Sequence, residues 1–114
     1  MLTVYGIKNG ATCRKALKWL SAEGIDHPFH DFRVDGLDAA NVARWAAAAG
    51  WEKLLNRRGT TWRNLPEADK DGVDAASAEV LMAGNPTLIK RPVFDDGSQI
   101  LVGFTAAEQE ALKA

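Results

Sequence analysis

The strongest constraint on the fold lies in the first 32 residues, which read as strand, helix, strand. Leu2 to Tyr5 is a short β-prone run ended by Gly6, and Lys8-Asn9-Gly10 supplies turn chemistry. From Cys13 the apolar positions Ala16, Leu17, Leu20 and Gly24 recur at helical spacing, while Arg14, Lys15 and Lys18 point away. That is the pattern of an amphipathic helix, with Cys13 on its apolar stripe. Ile25 to Phe32 then reads as a second strand, with Pro28 near its start. Two strands joined by one helix form a parallel pair with a right-handed crossover.

The middle of the chain reads as helical. Asp38 is placed to cap a helix whose buried stripe is Val42, Trp45, Ala46 and Ala49, with Gly50 just past its end. Trp51 to Leu55 adds a further turn, and Val73 to Ala83 reads as another helix, stopped by Gly84-Asn85-Pro86. The end changes character. Val93 to Asp95 and Ser98 to Val102 flank Asp96-Gly97, a signal for a two-residue hairpin turn. Thr105-Ala106-Ala107-Glu108 is a capping box opening a last helix through Leu112. A parallel unit and a hairpin most simply share one mixed sheet of four strands, with helices on its faces. The expected fold is therefore α/β and thioredoxin-like, a single domain over 1–114 with a helical insertion at about 38–84.

Composition excludes several functions. With 114 residues, 46% hydrophobic and 25% charged, the chain has the makeup of a soluble protein able to bury one core. Its apolar runs fall far short of the ~20 residues that cross a bilayer, so no membrane association is expected. The first residues lack a basic stretch followed by an apolar one, so no secretory signal is expected. A net charge of −1 argues against direct nucleic-acid binding. The single cysteine, Cys13, allows no internal disulfide and no Cys-rich metal cluster, and the expected compartment is a reducing cytoplasm.

Few side chains offer chemistry. Cys13 falls near the first turn of its helix, close in sequence to Lys8, Arg14 and Lys15, a setting that lowers a thiol pKa below its usual ~8.5. The competing reading, which the local pattern favours, is a small apolar residue packed on the core stripe. Arg57, Arg58 and Arg63 surround Gly59-Thr60-Thr61-Trp62, and Lys90-Arg91 precedes Pro92. Converging arginine forks bind oxyanions, whereas isolated ones are solvated surface charge. The Arg91-Pro92 bond is a candidate cis peptide, although a trans bond at a strand entrance is commoner. His27 and His30 have no partners at ligand spacing, and Trp19, Trp45, Trp51 and Trp62 read as core and rim packing.

Taken together, the motifs resemble a known family. Tyr5-Gly6-Ile7-Lys8-Asn9 and Cys13-Arg14-Lys15-Ala16 resemble the first βα turn of the arsenate reductase ArsC family, which also holds YffB-like and Spx-like proteins. The likeness continues through Leu55-Asn56-Arg57-Arg58-Gly59-Thr60-Thr61-Trp62-Arg63-Asn64-Leu65. It closes with Ile89-Lys90-Arg91-Pro92-Val93 and Leu101-Val102-Gly103-Phe104, and the YffB-like branch is the nearest. The resemblance implies a thioredoxin-like fold and a thiolate after the first strand that attacks arsenate or a disulfide. It implies no tightly bound cofactor, with glutathione as co-substrate and glutathione or glutaredoxin completing the cycle. It also implies that Lys8, Asn9 and Gly10 line the site. Arginines matching Arg58 and Arg91 would hold the oxyanion or a glutathione carboxylate, and the proline matching Pro92 is typically cis.

The chain departs from the family at the decisive place. Where the family reads Lys-Asn-Cys-Asp-Thr, this chain reads Lys8-Asn9-Gly10-Ala11-Thr12, so Gly10 stands where the nucleophile belongs. Cys13 matches the second position of the Cys-x-x-Cys of Spx-like and some YffB-like members. A further arginine of arsenate reductases is replaced at Phe104, and both losses point away from arsenate chemistry. Moving the thiol three residues along a helix displaces it by roughly 4.5 Å, more than in-line attack tolerates. Two functions compete. One is a glutathione-linked thiol reductase working through Cys13. The other is an inactive module that binds an anion or thiol, or docks a protein partner as Spx docks RNA polymerase.

Overall fold

The structure, a computed structural model, describes residues 1–114. In chain order the elements are β1 (Thr3–Gly6), α1 (Ala11–Ala22), β2 (Phe29–Asp31), α2 (Phe32–Asp35), α3 (Ala39–Ala49) and α4 (Trp51–Leu54). There follow α5 (Thr60–Arg63), α6 (Glu67–Lys70), α7 (Ala75–Gly84), a 3-10 turn (Pro86–Leu88), β3 (Val93–Asp95), β4 (Ile100–Val102) and α8 (Ala106–Lys113). They fall into two compact units, one of Met1–Gly36 with Arg91–Ala114, the other of Leu37–Lys90. No helix is long and apolar enough to cross a membrane.

The first unit holds the four-stranded mixed sheet, in the order β2-β1-β3-β4. β1 pairs in parallel with β2, placing Gly6 opposite Asp31, and antiparallel with β3, placing Val4 opposite Phe94. β3 and β4 form the expected hairpin, with Phe94 opposite Leu101. Val4, Ala16, Leu20 and Phe94 form the buried centre, so the stripe of α1 packs on the middle strands. Gly24 is not part of that stripe. The helix ends at Ala22, and Gly24 is exposed at φ +69, where its N–H donates to the Ser21 carbonyl at 3.2 Å. A left-handed glycine beyond the last turn is a common way to end a helix.

Two further boundaries differ from the sequence reading. The second strand covers only Phe29–Asp31, and Phe32 starts α2. Asp31 decides this, because its carboxylate accepts the Arg33 N–H at 2.8 Å and caps the new helix. In the hairpin, Asp96 N–H donates to the Gln99 carbonyl at 3.2 Å, so the tight turn is Gly97-Ser98 rather than Asp96-Gly97. Asp96 lends its side chain instead, accepting the Ser98 and Gln99 amides at 2.9 and 2.6 Å.

The second unit is helical. Asp38 caps α3 through the Ala40 N–H, and Val42, Trp45 and Ala46 are buried, as their spacing requires. Gly50, at φ +93, turns the chain from α3 into α4. α7 begins at Ala75 rather than Val73, because Asp74 and Ser77 form a reciprocal capping box at 2.9 Å each way. The four-residue helices α5 and α6 carry too few turns for periodicity to reveal them. An isolated bridge joins Leu55 to Ile89, with Asn56 N–H on the Leu88 carbonyl at 2.7 Å and Lys90 N–H on the Leu54 carbonyl at 2.8 Å.

Candidate functional site

The turn between β1 and α1 is built from two hydrogen bonds. Within it, Gly10 N–H donates to the Ile7 carbonyl at 2.9 Å. From outside, Lys8 N–H donates to Asp31 Oδ2 at 3.0 Å. The buried Asp31 thus ties the turn to the end of β2, and its carboxyl is held below the usual range, chiefly by that Lys8 amide. Sequence reasoning missed this residue. Its signal was an Asp where a strand passes into a helix. Lys8 and Asn9 are exposed, and Gly10 enters α1 at φ −68 and ψ 134 with no side-chain cap over the first amides.

Cys13 lies in the first turn of α1 and is 1% exposed. Its sulfur fills the space over Gly6: a Cβ built on Gly6 would stand 2.5 Å from Sγ. Burial pushes the thiol pKa up. A hydrogen bond with the Ile7 backbone and the charge of Arg91 pull it down, but by less, while Asp31 adds to the rise. The thiol is therefore protonated at neutral pH. A Cβ on Gly10 would lie 3.7 Å from Sγ and 3.8 Å from the Cys13 Cβ, so Gly10 and Cys13 are immediate neighbours.

Arg91 stands just ahead of β3 in the chain. It is half-buried, its Cβ would be 3.8 Å from a Cβ on Gly6, and its peptide bond to the buried Pro92 is cis. Burial lowers the Arg91 pKa, the nearby Cys13 opposes that, and Arg33 adds to it. Gly10, Cys13, Arg91 and Pro92 thus gather around the β1–α1 turn of the first unit. Arg58 belongs to the second unit, where it is exposed on a hollow of about 280 Å³ with Glu52, Leu55, Arg57 and Lys90. Arg63 is exposed and bonds Thr60 Oγ1 at 3.3 Å.

The remaining candidates have structural surroundings. Phe104 packs edge-on to Trp19 with ring centres 5.6 Å apart and lies 6.1 Å from the Phe94 ring, so its surroundings are apolar. His27 Nδ1 lies 2.6 Å from the Ile25 carbonyl, and His30 Nε2 lies 2.7 Å from that of Gly36. Trp45 is fully buried, while Trp51 and Trp62 are half-buried on either side of Arg57 in sequence.

This fold defines a thioredoxin-like α/β protein, with its candidate site at the turn after β1. The chain belongs to the ArsC family, whose model matches residues 5–112. It is similar to the solved structure of a YffB protein, with 42% identity, full coverage of both chains and a TM-score of 0.95. An arsenate reductase (ArsC) related protein from Brucella melitensis is 49% identical, covering 96% of this chain and 92% of that one, with a TM-score of 0.77. The global transcriptional regulator Spx of Streptococcus agalactiae is 26% identical across 97% of this chain and 82% of its own length.

Proposed function

We propose that this ArsC-family chain binds a small oxyanion, or the carboxylate end of a thiol peptide such as glutathione, at the β1–α1 turn without using its own cysteine as nucleophile. The observation that carries this reading is the Cys13 sulfur, 1% exposed and packed on Gly6, with its pKa raised by burial. The thiolate is the attacking species in sulfur chemistry, and a buried neutral thiol supplies little of it. Gly10 leaves the family's nucleophile position without a functional group. The anion-binding half of the site is retained. Arg91 stands beside the turn, and the first amides of the 12-residue α1 carry no side-chain cap.

Glutathione-linked reduction through Cys13 is the second reading. It draws support from the Arg91 charge and the Ile7 hydrogen bond, both of which favour thiolate, but burial outweighs them. Alkylation rates on the native protein across a pH series separate the two. Slow labelling with a midpoint above the ordinary ~8.5 is expected. Fast labelling with a midpoint well below that value would restore the reductase. Titration with glutathione or phosphate, followed by NMR, should shift the amides of Ala11 to Cys13, and Arg91→Ala should weaken the response. Undiminished binding in that variant would remove Arg91 from the site.

A further inference from the structure

We propose that Asn9 is a site of spontaneous deamidation, in which the Gly10 backbone nitrogen attacks the Asn9 side chain and the turn after β1 acquires a negative charge. Such a step needs a free carboxamide and a following nitrogen that no side chain crowds. Of the five asparagines only Asn9 precedes a glycine; the others precede Val42, Arg57, Leu65 and Pro86. Asn9 is exposed, and no hydrogen bond engages its carboxamide. Three of the others are held in place. Asn41 Oδ1 accepts from Arg44 at 3.1 Å, Asn56 Oδ1 accepts the Arg58 N–H at 3.1 Å, and Asn85 Nδ2 donates to the Leu81 carbonyl at 3.0 Å. Asn64 is exposed as well, but the branched side chain of Leu65 follows it and hinders ring closure. Glycine imposes no such hindrance and bends freely into the cyclic geometry.

The chemistry balances without an oxidant or a cofactor. The Gly10 nitrogen gives up its proton and bonds to Asn9 Cγ; the Cγ–Nδ2 bond breaks, and the side-chain nitrogen leaves with that proton as ammonia. One water then opens either C–N bond of the cyclic imide, leaving an aspartyl residue or an isoaspartyl one whose chain runs through Cγ. A single contact opposes attack, the Gly10 N–H bond to the Ile7 carbonyl at 2.9 Å. The product carboxylate stands one position ahead of Gly10, the N-cap of the 12-residue α1, whose first amides carry no side-chain cap. The helix dipole favours negative charge there, so the new group competes with any external anion for the same amides. That consequence rests on the anion-binding reading above; the deamidation itself does not.

The intact protein, held at mildly alkaline pH where the amide proton is lost more easily, is sampled by peptide mapping with mass detection. The Asn9 peptide should gain the mass of an amide-to-acid change and split into aspartyl and isoaspartyl forms, while the Asn64 peptide stays unchanged. Gly10→Ala should slow the conversion several-fold, and the local φ of −68 suits alanine. The folded protein should convert about two- to tenfold more slowly than the urea-unfolded chain, the factor that one net hydrogen bond represents. Conversion at Asn64 as fast as at Asn9, or an unchanged rate in Gly10→Ala, would overturn the proposal. So would a folded protein that keeps Asn9 intact while the unfolded chain converts, because the turn would then be closed to attack. Asn9→Asp reads the consequence separately: it should weaken the response of the Ala11 to Cys13 amides to inorganic phosphate at constant ionic strength. An undiminished response would show that charge at position 9 does not reach the site. A parent protein that binds no phosphate would refute the anion-binding reading and leave the mass result to decide this one.

Discussion

At the scale of single residues, Gly6 and Cys13 share one space. A methyl group at Gly6 would stand 2.5 Å from Sγ, nearer than non-bonded atoms approach. Gly6→Ala should therefore destabilise by about 1–3 kcal/mol through overpacking, seen as a lower urea midpoint. In a Cys13→Ala background the sulfur is gone, and the penalty should shrink; an equal penalty in both backgrounds would mean the contact is not its source. Gly10 behaves differently. Its φ of −68 is one that any L-residue adopts, and its nearest outside neighbour is the Ile7 carbonyl at 3.2 Å, which needs to give only slightly. A Cβ there would lie 3.8 Å from that of Cys13, inside the ~3.5–4.5 Å that a disulfide spans. Gly10→Cys should form a disulfide with Cys13 in air, leaving almost no titratable thiol, and should raise glutathione-dependent disulfide reduction above the parent. A variant that folds and keeps two free thiols after oxidation would contradict this geometry. The sequence placed Cys13 on the apolar stripe correctly, but not the Gly6 niche that its sulfur fills.

At the scale of elements, side-chain caps set the boundaries. Asp38 before α3 and the Thr105–Glu108 box before α8 were legible, because each cap and its target lie within three residues. Asp31 was not, because Phe29 to Phe32 is β-prone and the cap competes with the strand for the same residues. The α8 box tests how far such a cap matters. Glu108 is buried, and its Oε1 accepts both the Thr105 N–H and hydroxyl at 2.7 Å. Thr105→Ala removes the hydroxyl from that box and should cost about 0.5–2 kcal/mol in urea unfolding, while Thr105→Ser should cost much less. A neutral Thr105→Ala would show that α8 is held by packing alone.

At the scale of the whole molecule, stability should fall on both sides of neutral pH. Asp31, Asp74 and Asp96 each have a carboxyl pKa lowered in the folded state, chiefly by backbone amides of Lys8, Ser77 and Gln99 respectively. The unfolded chain then binds more protons, so this stabilisation is present above the unfolded value of ~3.9 and is lost as pH drops through the folded values. Cys13 acts with the opposite sign. Its raised folded pKa favours the native state below the unfolded value of ~8.5 and withdraws that support as pH rises past it. Urea midpoints measured across pH should be flat near neutrality and fall at both ends. Asp31→Asn should flatten the acid limb, and Cys13→Ala the alkaline one. An alkaline limb unchanged by Cys13→Ala would mean that the thiol is not desolvated.

The sequence by itself determined the family, the βαβ and hairpin halves of the sheet, the helical middle and the glycine at position 10. Those features are written in periodicity, turn residues and short ordered motifs, where cause and effect lie within a few positions of each other. Tertiary structure alone decided the rest. The Asp31 carboxylate reaches the Lys8 amide across 23 positions, and the Cys13 sulfur settles on Gly6. Arg57 rests against two indoles, while Arg91, far along the chain, comes up beside Gly6. Each outcome depends on which atoms meet once water is excluded, and side-chain burial, charge and pKa follow from those meetings rather than from local order.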